Sequence, residues 1–203
     1  MNRLKVQRLT NFFLSGFLVL IALPSFAECV DLKGSSSFEL ARDEPQFLVT
    51  KRVLGDGSVL EERRMTVNGV VEEVETVYWN GVIAIDRKSK SGHIQLNLSE
   101  EAKSVDLSTV GQSFSFPVTI LVNGNEVDSG RMIIETIDKT ALNIAGCQYR
   151  VMVVRSTINR NDGSPINEET LLSLDAGIIL GNITMTPDWQ PKTGVFFDRI
   201  EVN

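Results

Sequence analysis

From Phe47 onward the chain is cut at short, nearly regular intervals by turn dipeptides, and this punctuation limits the fold more than any other feature. Gly55-Asp56-Gly57, Asn68-Gly69 and Asn80-Gly81 fall between runs rich in Val, Ile, Thr and aromatic residues, and Asn-Gly supplies the positive φ angles of a type I′ hairpin turn. Runs of this length bounded by turns read as antiparallel strands. A meander is expected over 47–54, 58–67, 70–79 and 82–89. Ser91-Gly92 then leads into His93-Ile94-Gln95-Leu96-Asn97-Leu98, whose alternation predicts a strand buried on one face. A second hairpin is expected where Phe114, Phe116, Val118, Ile120 and Val122 share a parity, turning at Asn123-Gly124-Asn125 and returning through 126–138. The run 145–159 places Cys147, Tyr149, Val151 and Val153 on one face and Met152, Val154 and Ile158 on the other, which implies burial on both sides. Strands over 166–174, 178–186 and 195–202 bring the total to about eleven, far above the ordinary share of strand.

Two segments depart from this pattern. Residues 99–111 are polar, and Ser99 ahead of Glu100 and Glu101 is placed to cap a short helical turn in a crossover between two hairpins. Ser37 to Asp43, ahead of Pro45, reads as a second short helix. The expected fold is all-β to β-dominated: a strongly curved antiparallel meander sheet or half-barrel with one or two short helices.

The first 27 residues are of another kind. Arg3, Lys5 and Arg8 precede an apolar run from Phe12 to Leu23, and Pro24-Ser25-Phe26-Ala27 ends with small residues at the last and third-last places, the pattern of a cleaved secretory signal peptide. Ser15 and Gly16 interrupt a run of only 12 residues, whereas a membrane-spanning helix needs about 20. A single β-rich domain over 28–203 is therefore expected, periplasmic or secreted, without stable membrane insertion. Glu28 stands before Cys29, where a lipid-modification site requires a small residue, so no lipidated cysteine is expected. Loss of Arg3, Lys5 and Arg8 takes the 20 Lys and Arg to 17 against 26 Asp and Glu, a net charge of −9, which opposes nucleic acid and anionic membranes as partners. Export also places Cys29 and Cys147 in an oxidising space, where an even count favours pairing. The expected Cys29–Cys147 bridge would contribute about 4 to 5 kcal/mol in the chain-entropy description, pinning the N-terminal segment onto the sheet.

Catalytic signatures are scarce. His93 is the sole histidine, and neither Gly-x-Ser-x-Gly nor a catalytic cysteine context accompanies it, so it reads as a strand-surface residue. One histidine and two distant cysteines do not make a zinc site. Glu73 and Glu75 share a strand face and could form a glycosidase pair or a calcium site, but Arg63 and Arg64 on the neighbouring strand make them ordinary cross-strand partners. Gly-rich phosphate loops are absent, so no cofactor is expected. Asn97-Leu98-Ser99 and Asn182-Ile183-Thr184 fit the glycosylation pattern, which matters only in a host that glycosylates exports.

Large apolar side chains exceed what one face of a thin sheet hides, so they either close a packed core or line a cavity; concave faces of curved sheets are the usual site for lipid-like ligands. Trp79, Ile83, Ile85, Phe114, Phe116, Ile179 and Phe196 are the candidates for such a face, each dependent on strand register.

Leu107-Ser108-Thr109-Val110-Gly111-Gln112, then Ala145-Gly146-Cys147-Gln148-Tyr149, a turn at Asp162-Gly163, and Leu174-Asp175-Ala176-Gly177-Ile178-Ile179 together resemble exported Gram-negative proteins of unknown function that look like relatives of the lipoprotein-localisation factors. The resemblance spans about Phe47 to Thr186. It implies an open β half-barrel that holds acyl chains against a short helical lid, and it brings no catalytic residues. The function expected from the whole reading is non-enzymatic: a periplasmic carrier or assembly factor binding a hydrophobic, lipid-like ligand or an envelope protein segment. The alternatives are a structural or protein-interaction module of the envelope that uses exposed strand edges and, third, a carboxylate-based glycan hydrolase.

Overall fold

The computed structural model describes residues 29–67 and 69–203, so the signal segment and Asn68 of the Asn68-Gly69 turn lie outside the described residues. Thirteen strands form a single sheet: β1 Ser37–Arg42, β2 Phe47–Val53, β3 Val59–Val67, β4 Val70–Trp79, β5 Ile83–Ser89, β6 Gly92–Leu98, β7 Ser113–Val122, β8 Asn125–Ile144, β9 Cys147–Arg160, β10 Ile166–Ser173, β11 Ile179–Met185, β12 Pro191–Val195 and β13 Arg199–Val202. From β1 to β12 each strand pairs antiparallel with the next in sequence, and β13 returns to pair with β1. The consecutive strands β12 and β13 therefore occupy opposite edges of the sheet. Only residues 196–198 join them, so the edges approach within about 14 Å at that end. The sheet must curl almost full circle without closing, which is the expected half-barrel.

Three expectations need correction. Ser37–Arg42 is strand β1, not a helix, because Phe38 and Leu40 are fully buried and pair across to Ile200 and Val202 of β13, a contact that local sequence does not announce. The last expected strand, 195–202, is two strands on opposite edges. Residues 99–112 are not a crossover: β6 and β7 are direct neighbours, and the segment leaves the sheet and comes back. Its helical part is a 3-10 turn at Glu100–Ser104, and Ser99 makes no side-chain cap there.

That excursion seals one end of the half-barrel. Ala102, Val105 and Leu107 are buried in a cluster with Phe116, Val118, Met132, Ile134, Met152 and Val154. At the same end the β4–β5 turn meets the β10–β11 turn across the interior: Gly81 has φ 71°, and a Cβ there would collide with the Gly177 carbonyl. A second cluster gathers Phe38, Leu40, Phe47, Val49, Ile144, Tyr149, Val151, Leu180, Phe197 and Ile200. The two clusters explain the double-faced pattern of β9. Val151 and Met152 point to opposite faces and are both fully buried, but the first serves one cluster and the second the other.

Cys29 and Cys147 form the expected disulfide, with Cα atoms 5.5 Å apart. It ties the N-terminal segment to the start of β9, where Leu32 is buried in the second cluster and the Val30 backbone bonds to Tyr149.

Candidate functional site

The concave side holds two adjoining cavities of opposite character. Register explains the change from one to the other, because one row of directly opposed residues runs across the sheet as Lys51, Glu61, Thr76, Arg87, Ile94 and Val122. Adjacent members come from strands β2 to β7 and share one face. The row is polar as far as Arg87 and apolar beyond it.

The polar cavity, about 190 Å³, lies between β2–β5 on one wall and β10–β12 on the other, with Lys51, Glu61, Arg63, Tyr78, Arg87, Glu168 and Asn182 in its lining. Lys51 is 1% exposed. Its ammonium donates to the Glu61 carboxylate and lies 5.4 Å from the centre of the Tyr78 ring. The Tyr78 hydroxyl donates to Glu61 Oε1 at 3.5 Å, a long contact. Burial, reinforced by the negative charge of Glu61, pushes the Tyr78 hydroxyl well above its ordinary value, so it stays protonated. Arg63 stands over the Phe47 ring at 5.8 Å. Glu168 faces this group from the opposite wall. Burial raises its carboxyl, and the Asn182 hydrogen bond and the Arg87 charge offset only part of that rise.

The apolar cavity, about 230 Å³, is lined by Val82, Ala84, Ile94, Leu96, Ile120, Met132, Ile158 and Ile166, with Ser156. Ala84, Arg87 and Glu168 line both cavities and so form the boundary between them. Ile94 and Ile166 keep 44% and 41% of their surface exposed. Two branched apolar residues thus stand open at the unsealed end, where none of the described residues covers them.

The residues expected on a concave face are distributed differently. Ile83 and Phe116 are buried in the cluster at the sealed end, with Trp79, Ile85 and Phe114 packed against it. The Trp79 indole N–H is buried and has no hydrogen-bond partner among the described residues. Ile179 lines the polar cavity. Phe196 is 42% exposed, and its ring covers Gly181 and Gly194 while Phe197 takes the inward position. A bulge shifts the β4–β5 register so that Tyr78 opposes Ala84 and Thr76 opposes Arg87, which leaves Ile85 as the extra residue. Sequence reasoning passed over Lys51, Glu61, Arg87 and Glu168. The available signal was that each sits in an alternating strand at the parity of buried apolar residues, as Lys51 does after Phe47 and Val49.

Outside the cavities, Glu73 opposes Arg64 and Glu75 approaches Lys88 at 3.5 Å. His93 Nε2 lies 2.8 Å from Asp86 Oδ2. Desolvation works against ionisation of Asp86, but the His93 hydrogen bond and the neighbouring charges of His93 and Lys88 hold its carboxyl below the ordinary range. Among the described residues no cluster of His, Cys, Asp and Glu could hold a metal ion, and no helix is long and apolar enough to cross a membrane.

No protein-family model matches the chain, and no curated protein matches it by sequence. Among solved structures, a hypothetical lipoprotein of Escherichia coli K12, YmcC, is similar over 76% of this chain and 78% of its own, with 10% identity and a TM-score of 0.47. The MucA/MucB complex of Pseudomonas aeruginosa is similar over 82% of this chain and 50% of that one, with 14% identity and a TM-score of 0.35. Similarity at this level assigns no function.

Proposed function

We propose that the protein is a non-enzymatic binding protein of the cell envelope, a carrier or assembly factor that takes a hydrophobic ligand into the open end of its half-barrel. One observation carries this reading: Ile94, Leu96, Ile120, Ile158 and Ile166 face inward around an apolar cavity whose mouth is uncovered among the described residues. An inward apolar surface left open costs about 25 cal/mol for each Å² kept wet, which a bound chain would recover. The disulfide supports an oxidising compartment such as the periplasm.

The other readings have less support. Strand addition needs a long bare edge, whereas β12 has 5 residues, including Pro191 and Lys192, and β13 has 4, with Arg199 and Glu201. Short, charged or proline-bearing edges resist pairing. Glycan hydrolysis needs two carboxylates free to act together, whereas Glu73 stands opposite Arg64 and Glu75 approaches Lys88.

The test is native mass spectrometry of the protein purified from its own host, followed by solvent extraction. The expected result is an adduct of a lipid-like molecule that is absent from Ile166→Arg. Ile166 suits the test because it is exposed, whereas a charge at Phe116 would disrupt the core. Wild type and variant that are equally free of adduct would count against the cavity as a binding site.

A further inference from the structure

The structure assigns a head-group preference to this cavity: we infer that its ligand is a single-chain anionic amphiphile, with the chain in the apolar cavity and the acidic group on Arg87. The inference rests on the cavity reading above and makes it more specific.

Charge supplies the first argument. The polar cavity is lined by Lys51, Arg63 and Arg87 against Glu61 and Glu168, a local excess of cations in a chain whose overall balance is acidic, with Lys51 buried and Arg87 exposed at the rim. Lys51 and Glu61 neutralise one another. Arg87 forms no salt bridge among the described residues, although it stands where the two cavities meet. Glu168, on the opposite wall, is held toward its neutral form by burial, so it opposes an incoming anion weakly and can donate to one when protonated. A guanidinium at the rim of an apolar cavity binds a carboxylate or phosphate through charge-assisted hydrogen bonds.

Size supplies the second. A cavity of about 150 Å³ accepts a benzene ring, so the apolar cavity of about 230 Å³ has room for one chain and not for the two chains of a membrane phospholipid side by side. The open mouth at Ile94 and Ile166 lets a longer chain extend outward while the head stays at Arg87.

The experiment is calorimetric titration of the exported protein, freed of bound material, with dodecanoate, dodecyl phosphate, dodecanol and dodecylammonium below their micellar concentrations. At least one of the two anions is expected to bind about ten-fold or more tighter than dodecanol, and which anion is tighter distinguishes fatty-acid from phosphate-headed sources. Arg87→Gln should bring the anions to within about two-fold of dodecanol while leaving dodecanol unchanged, and Arg87→Lys should keep part of the preference. Thermal melts check that both variants fold. Equal binding of anions and dodecanol, tighter binding of dodecylammonium, or a preference that survives Arg87→Gln overturns the head-group inference alone. If none of the four binds, the cavity reading falls with it.

Discussion

The two cavities lie on one concave face and share strands β5 and β10, yet they treat their side chains in opposite ways. On the polar side, Lys51, Glu61 and Tyr78 satisfy one another, and Arg63 lies over an aromatic ring, so those groups have partners before any ligand arrives. On the apolar side, Ile94 and Ile166 have no such closure. The comparison separates two arrangements on one concave surface: Lys51 and Glu61 pair across β2 and β3, whereas Ile94 and Ile166 stay open where the proposed ligand would sit. Arg87 and Glu168 belong to both cavities.

Removing one partner of the buried pair should have the largest effect. Lys51→Met leaves Glu61 buried without its cation and is expected to cost about 3–5 kcal/mol in denaturant unfolding, whereas Lys51→Met with Glu61→Leu should recover most of that loss. Replacing Cys29 and Cys147 by serine should cost about 2–5 kcal/mol, because it frees the segment whose Leu32 packs into the cluster bordering the polar cavity. On the apolar side the balance should reverse. Ile166→Arg is expected to change stability by no more than about 0.5 kcal/mol yet abolish ligand retention, because it is half exposed at the mouth.

The smallest effect concerns Glu168. Its folded carboxyl titrates above the ordinary value, so the unfolded chain gives up that proton first and stability falls as pH rises through the carboxylate range toward the folded value. Glu168→Gln should therefore melt slightly higher than wild type at pH 7, with the difference shrinking as the pH falls below the ordinary carboxylate range. A difference that does not depend on pH would show that Glu168 is not desolvated as described.

Much of this fold is legible in the sequence because the turns are local. Asn80 and Asn123 adopt positive φ, and the strands between the turns fall close to where their alternation puts them. The rest depends on contacts between distant parts of the chain. Ser37, with Pro45 downstream, resembles a capped helix, and only pairing with β2 and with β13, over 150 residues away, makes it a strand. Register inside the barrel is also hidden, since bulges between Val77 and Tyr78 and between Leu171 and Leu172 change which residues share a face. That is why Ile83 and Phe116 close a core while Arg87 and Ala84 meet the cavity. Lys51 and Glu61 look like surface charges until β2 and β3 are set side by side and the curl of the sheet brings β10 across from them.

The most direct test of the division between a self-satisfied interior and an open one is methyl NMR of isoleucine-labelled protein, titrated with a lipid extract of the host envelope. Every relevant position can be read in one spectrum. The account predicts that the methyl signals of Ile94, Ile120, Ile158 and Ile166 move together and saturate, while those of Ile144 and Ile178, buried in the cluster with Phe38 and Tyr149, stay in place. Shifts confined to the core isoleucines, or no shift at the cavity isoleucines at any lipid concentration, would contradict it.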